Sequence, residues 1–284
     1  MARLRPIPTV KPKDLAEALR YLAAGGRPMA GGTDLLVSIR KGTEKPELLV
    51  YVGELPELRF LREEEEGLEV GAALTHAELL SHPATERLPI LREVLRTIGS
   101  PAIRAMGTLG GNLVTASPAG DGLLALYLLE ARVRLVDDAG ERELPIQEFV
   151  VGPRRTALKP GELVRSLFLP YPEGNPRSFF RKVGRRRALV IAVASLGALV
   201  WVEDRRVKRA RLALGSVAPT ILRPREVEEA LVGRPIAPEA WEDLVPKLSA
   251  ATQPISDLRA SAEYRRKVAG RLLLALAEAL RTGL

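Results

Sequence analysis

The chain has 284 residues, 46% of them hydrophobic and 27% charged, with 43 Lys and Arg against 35 Asp and Glu for a formal net charge of +8. That length suits two domains, or three small lobes, rather than one minimal domain. There is no cysteine and there are only two histidines, which excludes disulfides, thiolate metal sites, cysteine-ligated iron–sulfur clusters and a His-rich metal site, and leaves few ways to build a Ser-His-Asp triad.

Taken in chain order, Asp14-Leu15-Ala16-Glu17 has the spacing of a capping box, and Leu15, Leu19 and Leu22 follow at helical spacing until Gly25-Gly26 ends the helix. Pro28-Met29-Ala30 is a short apolar step into Gly31-Gly32-Thr33-Asp34, where Thr33 or Asp34 caps a helix through Leu35, Leu36 and Ile39. Strands are predicted over 48–52 and 68–73, and Thr75-His76-Ala77-Glu78 is a second capping box. Residues 86–106 are helical in pattern with a break at Gly99-Ser100-Pro101, followed by a glycine-rich turn over 107–112.

A buried helix is predicted over 123–131, and strands over 133–137 and 161–169. Proline and glycine then cluster over 170–176, the best linker in the chain. Beyond it, strands are predicted over 179–183, 189–202 and 207–215, and helices over 223–231, 239–248 and 262–280. The longest apolar run, 188–202, is broken only by Ser195 and Gly197; it is too short for a membrane span and reads as core. The first six residues lack the apolar stretch of a secretory signal, so a cytoplasmic location is expected.

Two glycine-rich segments carry the chemistry: Ala30-Gly31-Gly32-Thr33-Asp34-Leu35 and Thr108-Leu109-Gly110-Gly111-Asn112. A pyrophosphate needs several converging N–H donors, and glycine pairs let backbone approach it closely. Neither segment has the P-loop or the G-x-G-x-x-G pattern, and a single glycine pair more often just makes a turn. Two such segments in one domain point to a dinucleotide. Asp121, close after the second, is placed to accept ribose hydroxyls or to cap the helix that follows. His76, inside a capping box, is assigned a local hydrogen bond; no catalytic acid or base is assigned.

Ala-Gly-Gly-Thr-Asp-Leu-Leu at 30–36, Ile-Arg-Ala-Met-Gly-Thr-Leu-Gly-Gly-Asn at 103–112 and Ser-Pro-Ala-Gly-Asp at 117–121 resemble the FAD-binding subunit of the xanthine dehydrogenase and aerobic carbon monoxide dehydrogenase family, the molybdenum hydroxylases. The resemblance runs on through 158–163 and Phe180-Arg181-Lys182-Val183-Gly184-Arg185 to 262–267. It implies an α+β fold: a two-lobed FAD-binding domain of the vanillyl-alcohol-oxidase (PCMH) type over 1–176, with lobes of about 1–53 and 54–176, and a smaller C-terminal α+β domain over 177–284.

The resemblance also implies FAD on this chain, and two partners: a large molybdopterin subunit and a small subunit with two [2Fe–2S] clusters, assembled as a dimer of heterotrimers. The chain would pass electrons from those clusters to an external acceptor and would not act on an organic substrate alone. By position, Ala30, Gly31, Gly32, Thr33, Asp34 and Leu35 would contact the pyrophosphate. Thr108, Leu109, Gly110, Gly111 and Asn112 would wrap the phosphates and ribityl chain, Asp121 would hold the adenosine ribose, and Lys182 and Val190 would lie beside the flavin. A solvated surface lysine is the plain alternative for Lys182. Ala105-Met106, where members often carry Asn after Arg, and Val190, where many carry Asp, depart from the family's pattern.

Two other functions compete. A flavin reductase resembling UDP-N-acetylenolpyruvoylglucosamine reductase would share the fold, but 116–121 lacks that family's Asn-Ala-Gly-type segment. A basic nucleic-acid-binding protein would rest on Arg185-Arg186-Arg187 and Arg205-Arg206, which lack interleaved aromatics.

Overall fold

A computed structural model describes residues 6–186 and 191–283. The first lobe holds β1 (Thr9–Val10), α1 (Leu15–Ala23), β2 (Arg27–Met29), α2 (Leu35–Lys41) and β3 (Leu49–Tyr51), its strands forming a parallel sheet in the order β1-β3-β2. Pro28 is tolerated because β2 is an edge strand. Asp14 caps α1 by accepting the Glu17 N–H, while the Glu17 carboxylate reaches back to the Lys13 N–H rather than to Asp14. Ala18, Leu19 and Leu22 of α1 bury against Val50, Val52 and Leu58.

The second lobe runs through β4 (Leu61–Glu63), β5 (Gly67–Gly71), α3 (His76–Ser81), α4 (Pro89–Arg96), α5 (Pro101–Met106), α6 (Leu109–Thr115) and α7 (Asp121–Leu128). It continues with β6 (Arg132–Asp137), β7 (Gly140–Pro145), α8 (Ile146–Phe149), β8 (Val150–Gly152), β9 (Arg155–Thr156) and β10 (Leu163–Pro170). Five of these strands make an antiparallel sheet, β4-β5-β10-β6-β7. Strand β7 was not legible in the sequence, because an edge strand with exposed Glu141 and Glu143 lacks an apolar alternation; the Asp137 carboxylate makes its turn by accepting the N–H groups of Ala139 and Gly140.

The remaining chain forms an antiparallel sheet of β11 (Arg177–Val183), β12 (Ala194–Glu203) and β13 (Arg206–Gly215), then α9 (Arg225–Leu231), α10 (Leu244–Ala251) and α11 (Ala262–Thr282). Strand β12 starts at Ala194, later than expected. The helix expected over 239–248 is a short 3₁₀ turn, Pro238–Trp241, followed by α10, whose Pro246 sits in the first turn where its missing N–H costs nothing. One face of this sheet packs on α11; the other packs on α7.

Helix α7 is therefore buried along its whole length and, apart from Asp121, apolar, packed between the C-terminal sheet and helices α4, α6 and α8. A Cβ on Gly197 of β12 would stand 2.4 Å from Leu124 Cδ2, so that strand carries glycine where α7 crosses it. The architecture is the expected α+β class. Among the described residues no helix is long and apolar enough to cross a membrane.

Candidate functional site

The first glycine segment leaves β2 at Met29 and turns into α2. Gly32 has φ +68°, a region that costs a residue with a Cβ about 1–2 kcal/mol. A Cβ on Gly31 would stand 1.6 Å from the Met106 carbonyl oxygen, so Gly31 is where the segment lies against the end of α5. The backbone N–H groups of Gly31, Gly32, Thr33 and Asp34 have no hydrogen-bond acceptor among the described residues. The helix cap expected of Thr33 or Asp34 is not made: Asp34 stands at the cap position without a side-chain cap bond, and its carboxylate accepts the Thr115 hydroxyl at 3.2 Å.

The second segment is not the expected turn but the start of α6. Thr108 is its N-cap and accepts the Gly111 N–H at 3.0 Å. Leu109 donates its N–H to the Leu74 carbonyl at 3.2 Å and Gly110 donates to the Ala72 carbonyl at 3.1 Å, so this helix start is already satisfied by the neighbouring chain. Leu109 and Gly110 are buried and offer no free N–H to a phosphate. Gly110 is glycine because a Cβ there would stand 2.6 Å from both Ala72 Cβ and Ala72 O. Gly111 is exposed, and its Cβ would meet only Thr108 Oγ1. Asn112 Oδ1 is buried above Gly122 of α7, without a partner among the described residues.

Ala30, Gly31 and Thr108 form one side of a cleft of about 460 Å³ whose other walls include Tyr51, Glu54 and Arg59. Arg59 donates to the carbonyls of Gly53 and Ala73 and pairs with Glu78, so its guanidinium is fixed across the join between the lobes. Glu78 also accepts the Thr75 N–H and hydroxyl, completing the capping box expected there. The His76 backbone N–H donates to the Gly107 carbonyl at 2.9 Å; its imidazole Nδ1 has no partner among the described residues. Burial, helped by the positive charge of Arg104, lowers the imidazole to about 4, so it is neutral at ordinary pH. Tyr51, Glu54 and Arg59 escaped sequence reasoning; they sit in no motif, and only the fold brings them to the glycines.

Asp121 and Lys182 meet. Lys182 Nζ donates to Asp121 Oδ2 at 2.6 Å and to the Thr97 carbonyl at 2.8 Å, with both side chains largely buried. Asp121 is the first residue of α7, whose cap position is Gly120, and its side chain makes no cap bond. Both plain alternatives therefore fail: Asp121 is not a helix cap and Lys182 is not a solvated surface residue. Burial pushes the Asp121 carboxyl above its ordinary value, and the Lys182 ammonium pulls it back. Asp121 Oδ1 is buried and has no partner among the described residues. Neither residue lines the Tyr51 cleft. Val190 lies outside the described residues.

Among known proteins, residues 5–172 match the family described as the FAD binding domain in molybdopterin dehydrogenase, and residues 178–280 match the CO dehydrogenase flavoprotein C-terminal domain. The chain is 33% identical to the nicotinate dehydrogenase FAD-subunit of Eubacterium barkeri, over 90% of each chain. It is also 33% identical to the carbon monoxide dehydrogenase medium chain of Afipia carboxidovorans, over 93% of this chain and 92% of that one. In three dimensions it is similar to a chain of quinoline 2-oxidoreductase from Pseudomonas putida 86, with TM-score 0.94 at 26% identity over 99% of both chains.

Proposed function

Because the chain belongs to the family of FAD-binding subunits of molybdopterin-dependent dehydrogenases, we propose that it takes electrons from [2Fe–2S] clusters of a small partner subunit and passes them to an external acceptor. A large molybdopterin subunit would carry the substrate chemistry, in a cytoplasmic dimer of heterotrimers. Residues 1–176 would hold the cofactor and 177–284 would close its flavin end.

The observation that carries the reading is the row of four N–H groups at Gly31–Asp34 that have no acceptor among the described residues and that start at Gly31 on the wall of the cleft where Arg59 is held by Glu78. Such a cradle suits a pyrophosphate. Thr33 and Thr108 add hydroxyls beside it. The buried, unpartnered oxygens Asn112 Oδ1 and Asp121 Oδ1 lack donors, which sugar-alcohol hydroxyls would supply. Gly111 gives the second segment an open backbone face, while Leu109 and Gly110 support it from behind. Lys182, held by Asp121 and the Thr97 carbonyl, would stabilise negative charge on the reduced ring.

The contact between Asp121 and Lys182 supports reading both at one end of an extended dinucleotide, with Asp121 then beside the ribityl-flavin half rather than the adenosine ribose. Bound FAD supplies the junction between one-electron carriers and a two-electron acceptor. The test is chromatography of the chromophore released from the purified chain: one FAD per chain is expected, and FMN, or no flavin after reconstitution, would overturn the reading.

A further inference from the structure

The chain has no cysteine and three methionines, so its sulfur chemistry is thioether chemistry. The two methionines among the described residues, Met29 and Met106, both lie beside the Gly31-Gly32 pair. Met29 ends β2, and a Cβ on Gly32 would stand 3.5 Å from its sulfur. Met106 ends α5; its carbonyl oxygen lies against Gly31, and it lines the cleft beside Ala30 and Ala105. Their exposure differs: Met29 is half-buried and Met106 is 53% exposed. A thioether accepts hydrogen bonds only weakly, and the N–H groups of Gly31–Asp34 find no acceptor in Met106.

We propose that Met106 is a peroxide-sensitive modification site whose oxidation to the sulfoxide loosens FAD. This rests on the reading of the chain as an FAD protein and adds regulation to it. The thioether sulfur gives an electron pair to one oxygen of hydrogen peroxide; the O–O bond breaks, an S–O bond forms and water leaves. Dioxygen becomes that peroxide on taking two electrons and two protons from a reduced flavin, so turnover that ends on dioxygen makes the oxidant at this chain. Oxidation follows exposure, which selects Met106 over Met29. The product is a polar acceptor on a side chain with three rotatable bonds. An acceptor is what the N–H row at Gly31–Asp34 lacks, and the Met106 backbone lies against the first residue of that row. The sulfoxide therefore competes with a phosphate for the same donors. Sulfoxide reductases reverse the change.

Hydrogen peroxide applied to the full chain tests this, with peptide mass mapping to locate the sulfoxide and calorimetric titration to follow FAD. In the flavin-free chain Met106 should gain an oxygen before Met29 does, and affinity for FAD should then fall roughly tenfold, the size of one competing hydrogen bond. Methionine sulfoxide reductases should restore it. FAD bound beforehand should slow oxidation at Met106. Peroxide should leave the affinity of Met106→Leu at its own untreated value and should still weaken Met29→Leu. Met29 oxidised first, an oxidised Met106 with unchanged FAD affinity, a peroxide-induced loss that persists in Met106→Leu, or equal rates of oxidation at Met106 with and without FAD would each overturn the proposal. An untreated chain that binds no FAD would instead overturn the reading on which it rests.

Discussion

The two glycine segments are near twins in composition, and the fold uses them in opposite ways. Residues 30–35 turn between a strand and a short helix with four N–H groups that have no acceptor among the described residues. Residues 108–112 open a helix whose first N–H groups are taken by Leu74, Ala72 and the Thr108 hydroxyl. Glycine at 32 answers a backbone requirement, φ +68°; glycine at 110 answers a packing requirement, contact with Ala72. The same residue type thus marks an open cradle in one place and a tight seam in the other. What separates them is which neighbouring strand stands behind the segment.

The contrast breaks most visibly at Gly110. Valine there would drive side-chain atoms into the Ala72 backbone, where a rigid strand end cannot yield. An overpacking cost of about 3 kcal/mol is expected, a fall of roughly 10 °C in melting temperature. Calorimetry or thermal circular dichroism measures it, and an unchanged melting temperature would show that the second segment is as open as the first. Gly32→Val should act differently. The chain should remain folded while affinity for FAD falls on the order of tenfold to a hundredfold, because a strained φ and a branched side chain disturb the unpartnered N–H groups. A variant that melts early but binds FAD normally would reverse the roles assigned to the two segments.

The smallest effect concerns His76, whose imidazole is buried at the start of α3. Its folded value of about 4 lies below the unfolded 6.5. The unfolded chain therefore takes up a proton first as pH falls, and the stability from a neutral His76 is present above 6.5 and lost between 6.5 and 4. Between pH 7 and 5.5 this amounts to about 1 kcal/mol. Urea unfolding at the two pH values should show that difference in the wild type and lose it in His76→Gln; an identical pH dependence in both would place the imidazole in water.

Much of the fold was legible. The apolar spacing of Leu15, Leu19 and Leu22 and the capping box at Thr75 each carry their own local signal, and each stands close to where it was expected. The glycine pairs were legible as important, but not as different, since Ala72 and Leu74 lie far from Gly110 in the chain and only strand β5 brings them to it. For the same reason Tyr51, Glu54 and Arg59 were invisible as a cleft. Asp121 and Lys182, 61 residues apart, read as two contacts and fold into one pair. Pairing between elements, not residue type, decided these roles.

Backbone amide exchange, followed residue by residue with and without FAD, tests the contrast most directly. The N–H groups of Gly31, Gly32, Thr33 and Asp34 should exchange fast in the flavin-free chain and become protected when FAD is added. Those of Leu109, Gly110 and Gly111 should be protected in both states. Equal slowing of both segments by FAD, or slowing at 109–111 with none at 31–34, would contradict the division of labour between cradle and seam.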